Sequence, residues 1–183
     1  MMVRAADQLD AVRLAAKGGV FGAGLTAMPV TNAAPESLLV DLSTIAALRG
    51  ISVEGDTIKI GALTTLETLR QDTAVALHLP ELADLLPYVA SVQVRNRGTV
   101  GGNIAWRKGD LVPLLVARGA RLRGPDLDIA VESYESGLIG EVLIPITSDI
   151  GFAEKIGHRA AFSPPLVTVA AKVGMVQGKM EKY

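Results

Sequence analysis

Ser91-Val92-Gln93-Val94-Arg95-Asn96-Arg97-Gly98-Thr99-Val100-Gly101-Gly102-Asn103-Ile104-Ala105 interrupts an otherwise regular alternation of helix-like and strand-like segments. Between Arg95 and Asn103 lie two arginines, a threonine, a glycine pair and an asparagine. Gly101 and Gly102 have access to positive φ and let a ligand approach the backbone. Thr99 offers a hydroxyl and Asn103 an amide, and either arginine is placed to offset a pyrophosphate. These are the parts of an anion site. The same residues also read as a wide surface loop with solvated arginines.

Upstream, Gly22-Ala23-Gly24-Leu25-Thr26-Ala27 has the form G-x-G-x-x-A. A nicotinamide Rossmann unit needs a helix to start inside this loop, and Pro29, Asn32 and Pro35 argue against one. A phosphate cradle of successive N–H groups and a plain turn both remain open. Downstream, Asp110 reads as the N-cap of an apolar helix over 111–117, ended by Gly119. Its carboxylate would equally accept from ribose hydroxyls. Trp106 reads as a packing anchor or as a ring that stacks on a ligand. His78 ends a helix, and His158 sits near Lys155 and Arg159 on a surface. No nucleophile elbow or P-loop is present, so a bound cofactor is the better carrier of chemistry.

Composition narrows the classes. Of 183 residues, 49% are hydrophobic, enough for a core, and 18 basic against 19 acidic residues leave a net charge of -1. Such a balance gives no basic nucleic-acid surface and no polybasic membrane patch. Mean hydropathy is +0.35, yet no apolar run reaches the roughly 18–20 residues of a membrane span. Asp7 and Asp10 interrupt the first sixteen residues, unlike a signal peptide. There is no cysteine, which excludes disulfides, thiol catalysis and an Fe–S cluster held by this chain. Two histidines leave little for zinc. A cytoplasmic setting is expected.

Outward from the central run, a helix is expected over 7–17, capped by Asp7, with Leu9, Val12 and Ala16 on one face. Strands are expected over 19–21 and 38–41, a loop over 22–35, and a helical turn over 43–48. Residues 51–60 read as a hairpin around Gly55-Asp56. Thr64 with Glu67 fits a capping box for a helix over 65–71. Asp72 caps another through 77, and Pro80 opens a third with the stripe Leu82, Leu85, Leu86, Val89. These helices are expected as a layer beside the first lobe. Strands follow over 120–123, 128–131 and 141–146, and 152–173 reads as strand, turn, then strand or helix.

The Q-V-R-N-R-G-T-x-G-G-N-I-A pattern of the central run resembles the FAD-binding medium subunit of molybdenum hydroxylases, the family of the carbon monoxide dehydrogenase flavoprotein and the xanthine dehydrogenase flavin domain. Val40-Asp41-Leu42 to Gly50-Ile51, Ile60-Gly61-Ala62-Leu63-Thr64-Thr65, and the loop from Gly22 to Pro29 resemble further family segments in the same order. The resemblance implies an α+β fold with FAD between two lobes of the flavin domain. It implies that Gly22, Ala23, Gly24, Leu25 and Thr26, with Thr99, Val100, Gly101, Gly102 and Asn103, hold the pyrophosphate. It implies Asp110 on the ribose side and Leu143 and Lys155 as further flavin contacts. It also implies partners: a large subunit with a molybdenum cofactor and a small subunit with two 2Fe–2S clusters, whose electrons FAD relays to an external acceptor.

The expected organisation is a small lobe over 1–50 with a βαβ-like start, a larger lobe over 51–150 with a mixed sheet and a helical layer, and a remnant of a truncated C-terminal α/β domain over 151–183. An apolar face is expected where that domain would pack, favouring partner binding or a homo-oligomer. Ala23 stands where the family has glycine, the stretch before Asp110 is about two residues short, and the C-terminal part is abbreviated. These departures define the alternative: a non-catalytic, degenerate relative that keeps the fold, has lost FAD and acts through partner binding.

Overall fold

The computed structural model describes residues 1–26, 38–159, 163, 165–176 and 179–181. Two sheets and a helical layer surround a pair of apolar clusters, and a third, three-stranded sheet, built on the β9–β10 hairpin (Ile150–Gly157 and Pro165–Val176), lies on the helices. The small sheet is parallel, with β3 (Leu38–Asp41) between β1 (Met2–Arg4) and β2 (Gly19–Gly22). Helix α1 (Gln8–Ala15) joins β1 to β2, and Asp7 caps it by accepting from the Asp10 N–H. Its buried residue is Ala11, with Val12 and Leu14 packed nearby, while Leu9 and Ala16 face solvent. The expected face is thus rotated: only the narrow side of the helix reaches Val40 of the sheet beneath it.

The larger sheet has the order β4-β5-β8-β6-β7, from β4 (Ile51–Glu54), β5 (Thr57–Gly61), β6 (Arg121–Gly124), β7 (Leu127–Ala130) and β8 (Glu141–Pro145). All its pairings are antiparallel, not mixed as expected. Two tight hairpins supply four strands, and tight turns allow only antiparallel neighbours. Gly55 takes φ 56° in the first of these turns. Val142 and Ile144 of β8 face the core beside Ile58, Ile60 and Leu122.

Helices α2 (Leu66–Gln71), α3 (Thr73–His78) and α4 (Pro80–Leu85) cover that sheet. Their Leu66, Leu69, Val75 and Leu82 join the same cluster as Ile58 and Ile60, so the layer belongs to the larger lobe rather than beside the first. Each such leucine contributes roughly 1.5–3 kcal/mol by burial. Asp72 caps α3 through the N–H groups of Ala74 and Val75, as expected. The capping box at Thr64 is not formed. Thr65 caps α2, Thr64 Oγ1 exchanges hydrogen bonds with the Gly50 backbone, and Glu67 turns to arginines. His78 ends α3 and His158 is exposed.

Two short helices replace the expected loop in the central run, α5 (Val92–Arg95) and α6 (Val100–Ala105), followed by α7 (Val112–Ala117). The last elements are antiparallel: β9 (Ile150–Gly157), β10 (Pro165–Val176) and β11 (Lys179–Glu181). Ala153 and Ala170 pack on the main core, while Ile150, Phe152, Ile156, Val167 and Val169 are exposed on the hairpin. Among the described residues no helix is long and apolar enough to cross a membrane.

Candidate functional site

A cleft of about 480 Å³ runs between the two apolar clusters, from Phe21 and Leu42 on one side to Ala62, Val89 and Tyr134 on the other. That volume lies in the range of small-molecule sites. Three of the singled-out sequence stretches meet at it, and two of them are hydrogen-bonded to each other. Leu66 N–H donates to Gly98 O, Val100 N–H to Thr64 O and Gly101 N–H to Ala62 O. A Cβ on Gly101 would lie 2.8 Å from Ala62 Cβ. The first glycine loop docks on the same run: a Cβ on Gly24 would collide with Arg97 O.

The two loops present different donors. No described residue accepts from the backbone N–H groups of Ala23, Gly24, Leu25 or Thr26. Leu25 sits at φ 56°, a left-handed conformation that costs a non-glycine residue about 1–2 kcal/mol. Such a turn can aim successive N–H groups at one point, which makes an anion nest. Ala23 lines the cleft and packs against the small cluster. The proline-rich segment that argued against a Rossmann helix, together with Ala27, lies outside the described residues.

The second run is helical, and Gly101 and Gly102 do not take positive φ. Its amides over 100–103 are spent, with Gly102 N–H donating to Thr99 Oγ1 and Asn103 N–H to Thr99 O. What remains for a ligand among the described residues is the Thr99 N–H, the Thr99 hydroxyl hydrogen and the Asn103 NH₂. Gly102 is the open point, since an added Cβ there would meet only Thr99 Oγ1, at 3.0 Å. Val100 is buried in the main core and turns its side chain away from the cleft.

The arginines do not form an anion site. Arg95 is buried, with Nε 2.7 Å from Glu67 Oε2. Its NH1 group donates to Val89 O and Ala90 O, pinning a cleft wall where Ala90 has φ 51°. The hydrogen bonds from Arg70 and Arg95 hold the Glu67 carboxyl down to about 2. Arg97 is exposed and does not line the cleft. Asp110 is the one charged side chain among the described lining residues.

Asp110 is not the cap of α7. Asn103 Oδ1 accepts from Leu111 N–H instead, bridging α6 to the start of α7. The Asp110 carboxylate is buried, and desolvation raises its pKa against the opposing pull of Lys155. Oδ1 lies 3.3 Å from Lys155 Nζ yet has no hydrogen-bond partner. Lys155 itself does not line the cleft, and neither does Leu143. Leu143 is buried mid-strand beside Lys59 and Arg121, on the opposite face from Val142 and Ile144. Trp106 ends α6 and lines the cleft.

Sequence reasoning missed Ala90 and Ser163 as lining residues, and the Glu67–Arg95 pair as the wall's support. For Ala90 and Ser163 no local signal exists. For the ion pair, an arginine inside a glycine-rich run was the available clue.

The cleft fits a dinucleotide: backbone amides without an acceptor among the described residues, the Thr99 hydroxyl, open backbone at Gly102, and the Asp110 carboxylate on its lining. Comparison with known proteins gives the family. Residues 20–128 match the family described as the FAD binding domain in molybdopterin dehydrogenase, and the chain belongs to that family; its cofactor is FAD. The chain is 46% identical over 81 residues to the carbon monoxide dehydrogenase medium chain of Hydrogenophaga pseudoflava, covering 44% of this chain and 28% of that one. It is 35% identical over 140 residues to the medium chain of Afipia carboxidovorans, covering 70% and 49%. The crystal structure of Cu,Mo-CO dehydrogenase in its cyanide-inactivated form superposes with a TM-score of 0.86 at 30% identity, over 98% of this chain and 71% of that one. The chain thus spans between about a quarter and half of the length of these two curated relatives.

Proposed function

We propose that this chain is the FAD-bearing part of a molybdenum hydroxylase-type oxidoreductase. In this reading it takes electrons from the Fe–S clusters of a small partner subunit, fed by a molybdenum-cofactor large subunit, and delivers them to an external acceptor. The reading divides the chain into lobes over 1–50 and 51–150 and a C-terminal unit over 151–183. Its cysteine-free composition suits the reducing cytoplasm.

The amides of Ala23–Thr26 receive the pyrophosphate, with the Thr99 hydroxyl and the Asn103 amide opposite. Asp110 accepts from the ribose. FAD, when bound, supplies the redox chemistry; the chain binds, orients and shields it. This role needs no side chain of the chain as a general acid or base. The observation that carries the reading is the convergence of residues 22–26, 61–66 and 97–103 on one cleft, whose unspent donors are neutral.

The test is a visible spectrum after incubation with FAD and desalting, then mixing with the partner subunits and substrate. Retained flavin near one per chain, bleached by substrate only when the partners are present, is expected. Protein that stays colourless, alone and with its partners, overturns the reading and favours the FAD-free relative.

A further inference from the structure

Two pairs of adjacent residues straddle the boundary between the apolar clusters. Ala62 and Ile139 belong to the main cluster, while their neighbours Leu63 and Leu138 belong to the small one. All four line the cleft, and Ala62 N–H donates to Gly140 O at 2.9 Å. Residues 62–63 and 138–140 thus form a seam along which the two walls of the cleft are joined. The second segment of the seam is held firmly at its far end. Gly140 N–H donates to Arg123 O at 2.8 Å, and a Cβ on Gly124 would collide with Leu138 O. At its near end one group holds it. Among the described residues, the only hydrogen bond that reaches residues 135–138 runs from the Tyr134 hydroxyl to Gly137 O, at 3.0 Å. Gly137 takes φ 118° there, a conformation that favours glycine. The Tyr134 side chain belongs to the main cluster and lines the cleft, so its hydroxyl is anchored to the larger core. Burial raises the phenol's pKa against the opposing charge of Arg107, and the group stays a donor.

We propose that Tyr134 is a positioning residue: its hydroxyl fixes residues 137–139 of the seam and so holds the two cleft walls at the separation the cofactor needs. The proposal rests on the reading of the cleft as the FAD site. A backbone segment that is ordered beforehand adds no ordering cost when the ligand arrives, whereas a segment with several open conformations draws that cost from the affinity. Leu138 and Ile139 enter different clusters, so a change in the turn before them moves one wall relative to the other.

The experiment compares Tyr134→Phe, which removes the hydroxyl and keeps the ring, with the wild-type chain at a temperature well below both melting points. It reads FAD affinity by titration and, in flavin-free protein, amide exchange at Ala62 and Gly140. Tyr134→Phe should weaken FAD by about three- to tenfold, the span of one neutral hydrogen bond, and should speed exchange at both amides before any flavin is added. Lost stability alone leaves the affinity unchanged, because both proteins are fully folded at that temperature. A Tyr134→Phe variant that binds FAD like the wild type overturns the proposal. So does weakened binding with unchanged exchange, which marks the hydroxyl as a direct cofactor contact. Gly137→Ala disturbs the same turn without touching the phenol, since its Cβ would meet only Leu127 Cδ1, at 3.8 Å, while φ 118° strains it. It should speed exchange at the same two amides, and if Tyr134→Phe does not fold this variant decides alone: unchanged exchange overturns the proposal. Wild-type chain that takes up no FAD defeats the underlying reading instead, a result distinct from wild-type uptake with an unaffected variant.

Discussion

In residues 23–26 the backbone amides have no acceptor among the described residues, and Leu25 holds a left-handed turn. In residues 100–103, by contrast, every amide is bonded to Ala62, Thr64 or Thr99. The first loop uses glycine to expose donors. The second uses it to bring a helix against a neighbouring backbone at Gly101 and to keep the cleft open at Gly102. Glycine-rich sequence alone does not distinguish these uses. What distinguishes them is whether the neighbours already claim the N–H groups.

The largest expected effect comes from breaking the seam between the loops. Gly24→Ala puts a methyl into Arg97 O and should lower FAD affinity by on the order of 100-fold while reducing Tm, read by flavin retention and thermal melts; overpacking costs of about 1–3 kcal/mol are typical. Arg95→Met leaves Glu67 Oε2 buried without its cation, with Arg70 and Gln71 donating only to Oε1, and should cost about 3 kcal/mol in denaturant unfolding. Arg97→Met should change stability by less than about 0.5 kcal/mol and leave FAD affinity unaltered. A strong loss of FAD in Arg97→Met would restore the arginine as a pyrophosphate ligand.

Within the second run, Gly101→Ala and Gly102→Ala should separate fold from site. The former meets Ala62 Cβ and O at 2.8 and 3.0 Å and should destabilise by about 1–3 kcal/mol. The latter should leave Tm unchanged or higher, since alanine favours a helix by up to about 1 kcal/mol, yet weaken FAD through a methyl at the cleft. Equal effects of the two on stability would contradict the division of roles.

The smallest effects are in pH dependence. Glu67 is held down to about 2 from 4.5, so its stabilisation is complete above 4.5 and is lost as pH falls from there toward 2. Asp110 has the opposite sign. Burial raises its pKa, so its ionisation disfavours the fold increasingly as pH rises from its ordinary value through the raised one. Asp110→Asn should therefore remove this component of the pH dependence, read as a flatter Tm in a melt series across pH.

Local chemistry made much of the fold legible. The Gly55-Asp56 turn, the Asp72 cap and the β-rich 38–41 segment each depend on residues within a few positions, and each is found where the sequence places it. The misreadings are choices made by distant partners. Thr64 gave up its capping box for the Gly50 backbone, and Asn103 took the α7 amide that Asp110 was expected to hold. Arg95 found Glu67, 28 residues away. For the site, the motif stretches named the right backbone, but which of its donors stay free is decided by pairing between residues 62–66 and 98–101, which no single segment encodes.

Trp106 is the only tryptophan in the chain and lines the cleft, so its emission reports on occupancy of that cleft. FAD added to flavin-free protein should quench Trp106 fluorescence along a saturable curve ending near one flavin per chain, and Gly24→Ala should abolish the quench. FAD that binds tightly without altering Trp106 emission, or no binding at all, would contradict the placement of the cofactor between the two glycine-rich segments.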